Sequence, residues 1–130
     1  MNERALTILV AEDDDFSAKL IAQQLSALGY GARVARTGIE ALRLWGTGAF
    51  ALILTDISMP DMDGYDLASS VRREEMALGR IPILALSAYD LSGETQRYQA
   101  AGIDECLLKP TDLASLKSAL DRWLGPGRHP

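Results

Sequence analysis

The chain of 130 residues has a single cysteine, Cys106, so it can form no internal disulfide and supply no cysteine metal cluster. That usage suits a reducing compartment, and the expected setting is cytoplasmic. Basic residues are also short, with 13 against 18 acidic ones and a formal charge of −5. Such a balance argues against a general binder of phosphate backbones, and no direct nucleic-acid binding is expected. Long hydrophobic runs are missing as well. None approaches the ~20 apolar residues that a bilayer span requires, so no membrane insertion by these residues is expected. Met1-Asn2-Glu3-Arg4 opens no secretory signal.

What remains is a globular composition, 48% hydrophobic and 24% charged, which excludes wholesale disorder. The length fits one domain, expected over residues 6–124, with 125–130 as a flexible tail. Short apolar runs alternate with longer amphipathic stretches. Strands are predicted over Thr7–Ala11, Gly31–Ala35 and residues 50–55, 81–86 and 106–108. The helical stretch after the first strand carries Phe16, Leu20, Ile21, Leu25 and Leu28, and Gly29 ends it. Thr37 with Glu40 fits a capping box for a second helix, with Ile39, Leu42 and Trp45 on one face. Further helices are predicted over residues 65–77 and 92–101, and a last one from Pro110 and Thr111. Five strand–helix units with nearly continuous apolar strands imply a parallel sheet covered on both faces. The expected architecture is therefore α/β, a doubly wound five-stranded parallel sheet of order 2-1-3-4-5, flavodoxin-like.

Ligands of open α/β sheets bind beyond the carboxyl ends of the strands. Here those ends carry Glu12 and Asp13, Asp56, Ser87 and Lys109. Each has an ordinary reading as well. Asp14 or Asp15 caps the first helix, an acid run is a solvated face, Ser87 forms a turn, and Lys109 is a surface charge. Asp56 is harder to explain this way, because it follows a strand of almost pure hydrocarbon. Three carboxylates in one cleft repel each other unless neutralised, and an all-oxygen set without His or Cys favours a hard ion such as Mg²⁺. Acids, a divalent ion and a lysine around a carboxylate suit phosphoryl transfer, with the carboxylate as the nucleophile.

Four blocks carry a resemblance: residues 8–14 (Ile-Leu-Val-Ala-Glu-Asp-Asp), 54–64 (Leu-Thr-Asp-Ile-Ser-Met-Pro-Asp-Met-Asp-Gly), 83–88 (Ile-Leu-Ala-Leu-Ser-Ala) and 107–110 (Leu-Leu-Lys-Pro). In this order and spacing the chain resembles the receiver domain of two-component response regulators. The resemblance implies that Asp56 is the phosphoacceptor. It implies that Asp13 binds Mg²⁺ directly, Glu12 largely through water, and that Asp56 and the backbone carbonyl of Ser58 complete the protein's ligand set. Ser87 and Lys109 match the hydroxyl and the lysine that contact the phosphoryl group. Ser58 and Tyr89 fall where the family tunes hydrolysis of the aspartyl phosphate. A cis Lys109-Pro110 bond is expected on the same ground. The partners implied are a histidine kinase, a histidine phosphotransfer protein, or both. The domain would catalyse its own phosphorylation and dephosphorylation without being an enzyme in the ordinary sense.

Cys106 departs from the pattern. Together with Ser87 it stands at the switch positions, and many receivers have an aromatic ring where this chain has the thiol. The Gly102 to Pro110 stretch is similar to receivers of hybrid histidine kinases, which relay phosphate onward. Rival readings fit less well. An aspartate-nucleophile phosphatase would carry a second Asp where Ser58 stands. A flavin site would need a phosphate loop where four acids stand. A degenerate receiver acting only as an interaction module is a further alternative, one that labelling with a small phosphodonor would separate.

Overall fold

The computed structural model describes residues 6–75 and 79–125. Strands β1 (Thr7–Ala11), β2 (Gly31–Ala35), β3 (Leu52–Asp56), β4 (Ile83–Ser87) and β5 (Glu105–Leu108) form one parallel sheet in the order β2-β1-β3-β4-β5. Five helices connect and follow them: α1 (Asp15–Ala27), α2 (Gly38–Thr47), α3 (Gly64–Glu74), α4 (Thr95–Ala101) and α5 (Leu113–Leu124). The predicted order and fold are those observed.

Strand alternation sorts the apolar side chains between two cores. Ile8, Val10, Leu52, Leu54, Leu84 and Leu86 face α1 and α5, meeting Ile21, Leu25, Leu116 and Leu120. Leu9, Ile53, Ile83 and Ala85 face the other way, against Leu44, Trp45, Leu67 and Val71 of α2 and α3. Central strands β3 and β4 are buried along their whole length, which is why their sequences read as unbroken hydrocarbon.

Helix starts follow capping chemistry. Asp14, Thr37, Asp63 and Asp112 each accept a backbone N–H three residues on, from Ser17, Glu40, Asp66 and Ser115. In the predicted box at α2, the Glu40 carboxylate reaches past the cap and accepts from Arg36 N at 2.9 Å.

Several boundaries differ from the sequence reading. β4 begins at Ile83, because Pro82 has no N–H to pair, although its carbonyl still accepts from Ile53 N at 3.0 Å. β3 likewise begins at Leu52. The last helix starts after Asp112 instead of at Pro110 and Thr111. Thr111 is tied to α1 through Gln24, whose side chain meets its carbonyl at 2.8 Å and its hydroxyl at 3.1 Å. The stretch predicted as one helix over residues 92–101 is a 3-10 turn, Ser92–Glu94, followed by α4. Ile39, expected on the apolar face of α2, is 58% exposed, and Ala41, Leu44 and Trp45 make that face instead. The predicted third helix ended at residue 77, and residues 76–78 lie outside the described ones, as do 126–130 of the expected tail.

Candidate functional site

All five strand-end residues come to one edge of the sheet. Glu12 extends the β1 pairing, its N–H bonded to Ala35 O at 2.9 Å, so its side chain is held fully buried under the cleft. Asp13, the next residue, stands exposed on the rim. Asp56 closes β3 and is nearly buried. One carboxylate oxygen from each of Glu12, Asp13 and Asp56 lies within 4.8 Å of the others. At an effective dielectric of about 20, two such charges repel by roughly 3 kcal/mol or more.

Lys109 offsets part of that charge. Its Nζ donates to Glu12 Oε1 at 2.6 Å and lies 3.3 Å from Asp56 Oδ2. Burial of the ammonium pulls its pKa down. The hydrogen bond to Glu12 and the charges of Asp56 and Glu12 outweigh that effect, and the group titrates above the ordinary lysine value. Glu12 Oε2 also accepts from Asp14 N at 3.2 Å. Three acids and one lysine leave a net charge of −2 in the cluster. The donor set is wholly oxygen and clustered, which fits a hard divalent cation and gives no preference for a thiolate- or imidazole-seeking metal.

Ser87 ends β4 with its hydroxyl accepting from Tyr89 N at 3.0 Å, and its carbonyl accepts from Lys109 N at 2.7 Å. The serine and the lysine are thereby fixed side by side. The Lys109-Pro110 bond is cis, as expected. After β3 the chain turns back through Ser58, whose N–H faces Asp56 Oδ1 at 3.4 Å. Gly64 closes this loop by donating to Ile57 O at 2.8 Å. A Cβ on Gly64 would lie 2.6 Å from Asp56 O, so the loop can pass this close to the phosphoacceptor candidate only with glycine there.

A cleft of about 830 Å³ takes in Asp13, Asp56, Ser58, Ser87, Tyr89 and Lys109. Cys106 is not part of it. It lines a smaller neighbouring cavity of about 220 Å³ with Leu91 and Tyr98, and Tyr89 lies on the boundary of both. Burial, with the charges of Glu105 and Glu94, pushes the Cys106 thiol up to about 11. The sequence reading missed Tyr65, Glu94 and Arg97, which form the far wall of the large cleft. The Arg97 guanidinium sits 4.7 Å from the centre of the Tyr65 ring and pairs with Glu94 at 3.2 Å. No spacing announces this pair, because α3 and α4 contribute one partner each.

The comparisons with known proteins agree with this geometry. The sequence pattern described as the response regulator receiver domain matches residues 8–121. The sensor histidine kinase RcsC of Salmonella typhi is 37% identical over 115 residues, covering 88% of this chain and 12% of that protein. The virulence sensor protein BvgS of Bordetella bronchiseptica is 37% identical over 121 residues, covering 90% of this chain and 10% of that one. The chain thus spans about a tenth of the length of these curated relatives. Among solved structures, the receiver domain of a Pseudomonas aeruginosa PAO1 sensor histidine kinase, with a magnesium ion coordinated in its active-site cleft, is 34% identical. It superposes with a TM-score of 0.83, covering 93% of this chain and 98% of that one. With that pattern matched over residues 8–121 of a five-stranded α/β fold, this chain belongs to the response regulator receiver domain family.

Proposed function

We propose that Asp56 accepts a phosphoryl group from the phosphohistidine of a histidine kinase or a histidine phosphotransfer protein, with Mg²⁺ held by Glu12, Asp13, Asp56 and the Ser58 carbonyl. One observation carries this reading: Lys109 bridges the buried Glu12 and Asp56 inside a cluster of three carboxylates within 4.8 Å. The ion, when bound, supplies neutralisation of the carboxylates and of the phosphoryl oxygens.

The chain's own residues do the rest. An Asp56 carboxylate oxygen donates a lone pair to phosphorus as the P–N bond breaks. The electrons of that bond return to the imidazole nitrogen, which takes a proton from solvent. The product is an acyl phosphate. Lys109 exchanges its contact with Asp56 for one with a phosphoryl oxygen, and Ser87, whose hydroxyl proton is free of the Tyr89 bond, donates to another. Ser58 and Tyr89, both exposed on the rim, set how readily water reaches the acyl phosphate, so that the domain catalyses its own phosphorylation and dephosphorylation. An apolar groove of about 220 Å³ formed by Phe16, Leu20, Ile21, Leu86 and Pro110 reaches Lys109 and supports docking of the phosphohistidine protein beside the cleft. Phe16 is 75% exposed there. The setting in keeping with such a donor is cytoplasmic, and among the described residues no helix is long and apolar enough to cross a membrane.

The test is labelling by acetyl phosphate with Mg²⁺. Wild type gains one phosphoryl group that hydroxylamine removes, and Asp56→Asn gains none. Stoichiometric, hydroxylamine-resistant labelling of Asp56→Asn would overturn the reading.

A further inference from the structure

The loop between β3 and α3 leaves the sheet beside the acids, yet its apex is fastened to a different helix. Asp61 accepts two backbone N–H groups from the first turn of α2, that of Gly38 on Oδ1 and that of Ile39 on Oδ2, each at 3.1 Å. The next N–H, that of Glu40, goes to the Thr37 hydroxyl at 3.0 Å. The open donors at the start of α2 are therefore shared between its own N-cap and a residue of the cleft loop. A carboxylate at this helix end is also favoured by the helix dipole. Partial desolvation raises the Asp61 pKa, but the N–H groups of Ile39 and Gly38 prevail and hold the carboxyl below its ordinary value.

The seating is close. A Cβ on Gly38 would lie 2.3 Å from Met62 O and 2.7 Å from Met62 Cβ, so the loop backbone can rest on α2 only where the helix offers a glycine. Elsewhere the loop is anchored by buried Met59, by the Gly64-to-Ile57 bond and by Asp63 at the start of α3. Ser58 has weaker local restraint. It is exposed, and among the described residues its N–H makes only the 3.4 Å contact with Asp56. The position of its carbonyl is thus set by the loop as a body.

We propose that Asp61 is a positioning residue of the phosphoacceptor site: docked on the N-terminus of α2, it holds the loop in the shape that presents the Ser58 carbonyl together with Glu12, Asp13 and Asp56. The inference rests on the metal-binding set assigned above. It separates two duties of one carboxylate, because Asp61→Ala removes both charge and tether, whereas Asp61→Asn removes the charge and keeps an oxygen for one N–H. Thr37→Ala weakens the same helix end without touching the loop.

The experiment measures Mg²⁺ affinity by calorimetry with the metal alone, and amide hydrogen exchange of residues 57–63 in the metal-free protein. The Mg²⁺ dissociation constant is expected to rise about tenfold in Asp61→Ala, the low end of the scale on which supports of metal ligands act, and less, about threefold, in Asp61→Asn, which keeps one N–H acceptor. Loop amides should exchange faster in the same order. Thr37→Ala should lower the melting temperature yet leave both readouts at wild-type values. Equal losses in Asp61→Ala and Asp61→Asn would mean that charge alone matters, and an equal loss in Thr37→Ala would mean that helix stability alone matters. Either result, or unchanged affinity in both Asp61 variants, overturns the inference while leaving the site assignment standing. Wild-type protein that binds no Mg²⁺ would instead overturn the site assignment, and this inference with it.

Discussion

Lys109 decides the charge balance of the cleft, and its removal has consequences of opposite sign. Without it Glu12 is fully buried with no cation beside it, and an uncompensated buried charge of this kind costs about 3–5 kcal/mol. Lys109→Ala should therefore melt below wild type in metal-free buffer. Mg²⁺ should raise its melting temperature more than it raises that of wild type, since the ion takes over the role of the lost cation. Mg²⁺ affinity should be equal or higher, while labelling by acetyl phosphate falls. A tenfold loss of Mg²⁺ affinity would contradict the placement of the ammonium between Glu12 and Asp56. Cys106 calls for a different measurement. With its pKa near 11, only about one thiol in a thousand is ionised at pH 8, against about a quarter for a free cysteine. Alkylation by iodoacetamide at pH 8 should run about two orders of magnitude slower than that of a free thiol, and recover on unfolding in urea. Fast alkylation of the folded protein would show the thiol to be less enclosed. The same contrast explains which residues were legible beforehand. Glu12, Asp56, Ser87 and Lys109 each follow an apolar strand directly, so the sheet rule alone brings them together. Arg97, Tyr65 and Asp61 reach the site through helix–helix and loop–helix contacts, which no local spacing encodes.

Elements were readable where a local device marks them. The buried strands announce themselves as hydrocarbon, and Asp14 and Thr37 stand where short polar side chains cap helices. The start of α5 was misplaced because Pro110 and Thr111 look like a helix start, while Thr111 is in fact claimed by Gln24 of α1. Arg72 of α3 escaped for a related reason, since two of its partners, Gly102 and Asp104, lie 30 and 32 residues on. Its guanidinium donates to Gly102 O from Nε at 3.0 Å and from a terminal nitrogen at 2.8 Å, to Ile81 O at 2.7 Å, and to Asp104 and Glu75. Asp104 in turn accepts from Ile83 N at 2.9 Å, so one arginine ties α3 to the starts of β4 and β5. Gly102, at φ 102°, leaves room for the arginine stem, which a Cβ would approach to 2.5 Å. Arg72→Met should lower stability by about 3 kcal/mol, because two carboxylates and two carbonyls lose a donor in a largely buried place. In urea the midpoint should fall with the slope unchanged. Labelling of the folded variant should persist, since this network lies at the opposite end of the sheet from Asp56. A midpoint within error of wild type would show the network to be dispensable.

At the scale of the whole molecule, the two ends of the sheet divide the work: the starts of β4 and β5 are tied to α3 and α5 by ion pairs, and the strand ends carry the acidic cleft. What the domain does after phosphorylation depends on how far the cleft communicates with the surface formed by α4, β5 and α5. The path begins at Ser87, whose hydroxyl accepts the Tyr89 N–H while its own proton is available to a phosphoryl oxygen. It continues to Cys106, which sits beside Ala85 in the β4–β5 register and lines the small cavity under Tyr89. A thiol has far less volume than an aromatic ring, so its movement would displace little of the surrounding packing. Tyr89 is 78% exposed, so little of its ring is enclosed by the neighbouring helices. Saturating the domain with beryllofluoride and Mg²⁺ should therefore shift amide resonances strongly around Asp56, Ser58, Ser87 and Lys109 but only weakly across α4 and α5. That pattern suits a domain that passes the phosphoryl group on, for which an intact docking groove at Phe16 and Leu20 matters more than a remodelled output face. Large shifts throughout α4 and α5, accompanied by a change of the Cys106 rotamer, would show that the thiol does transmit the switch and would count against the relay reading.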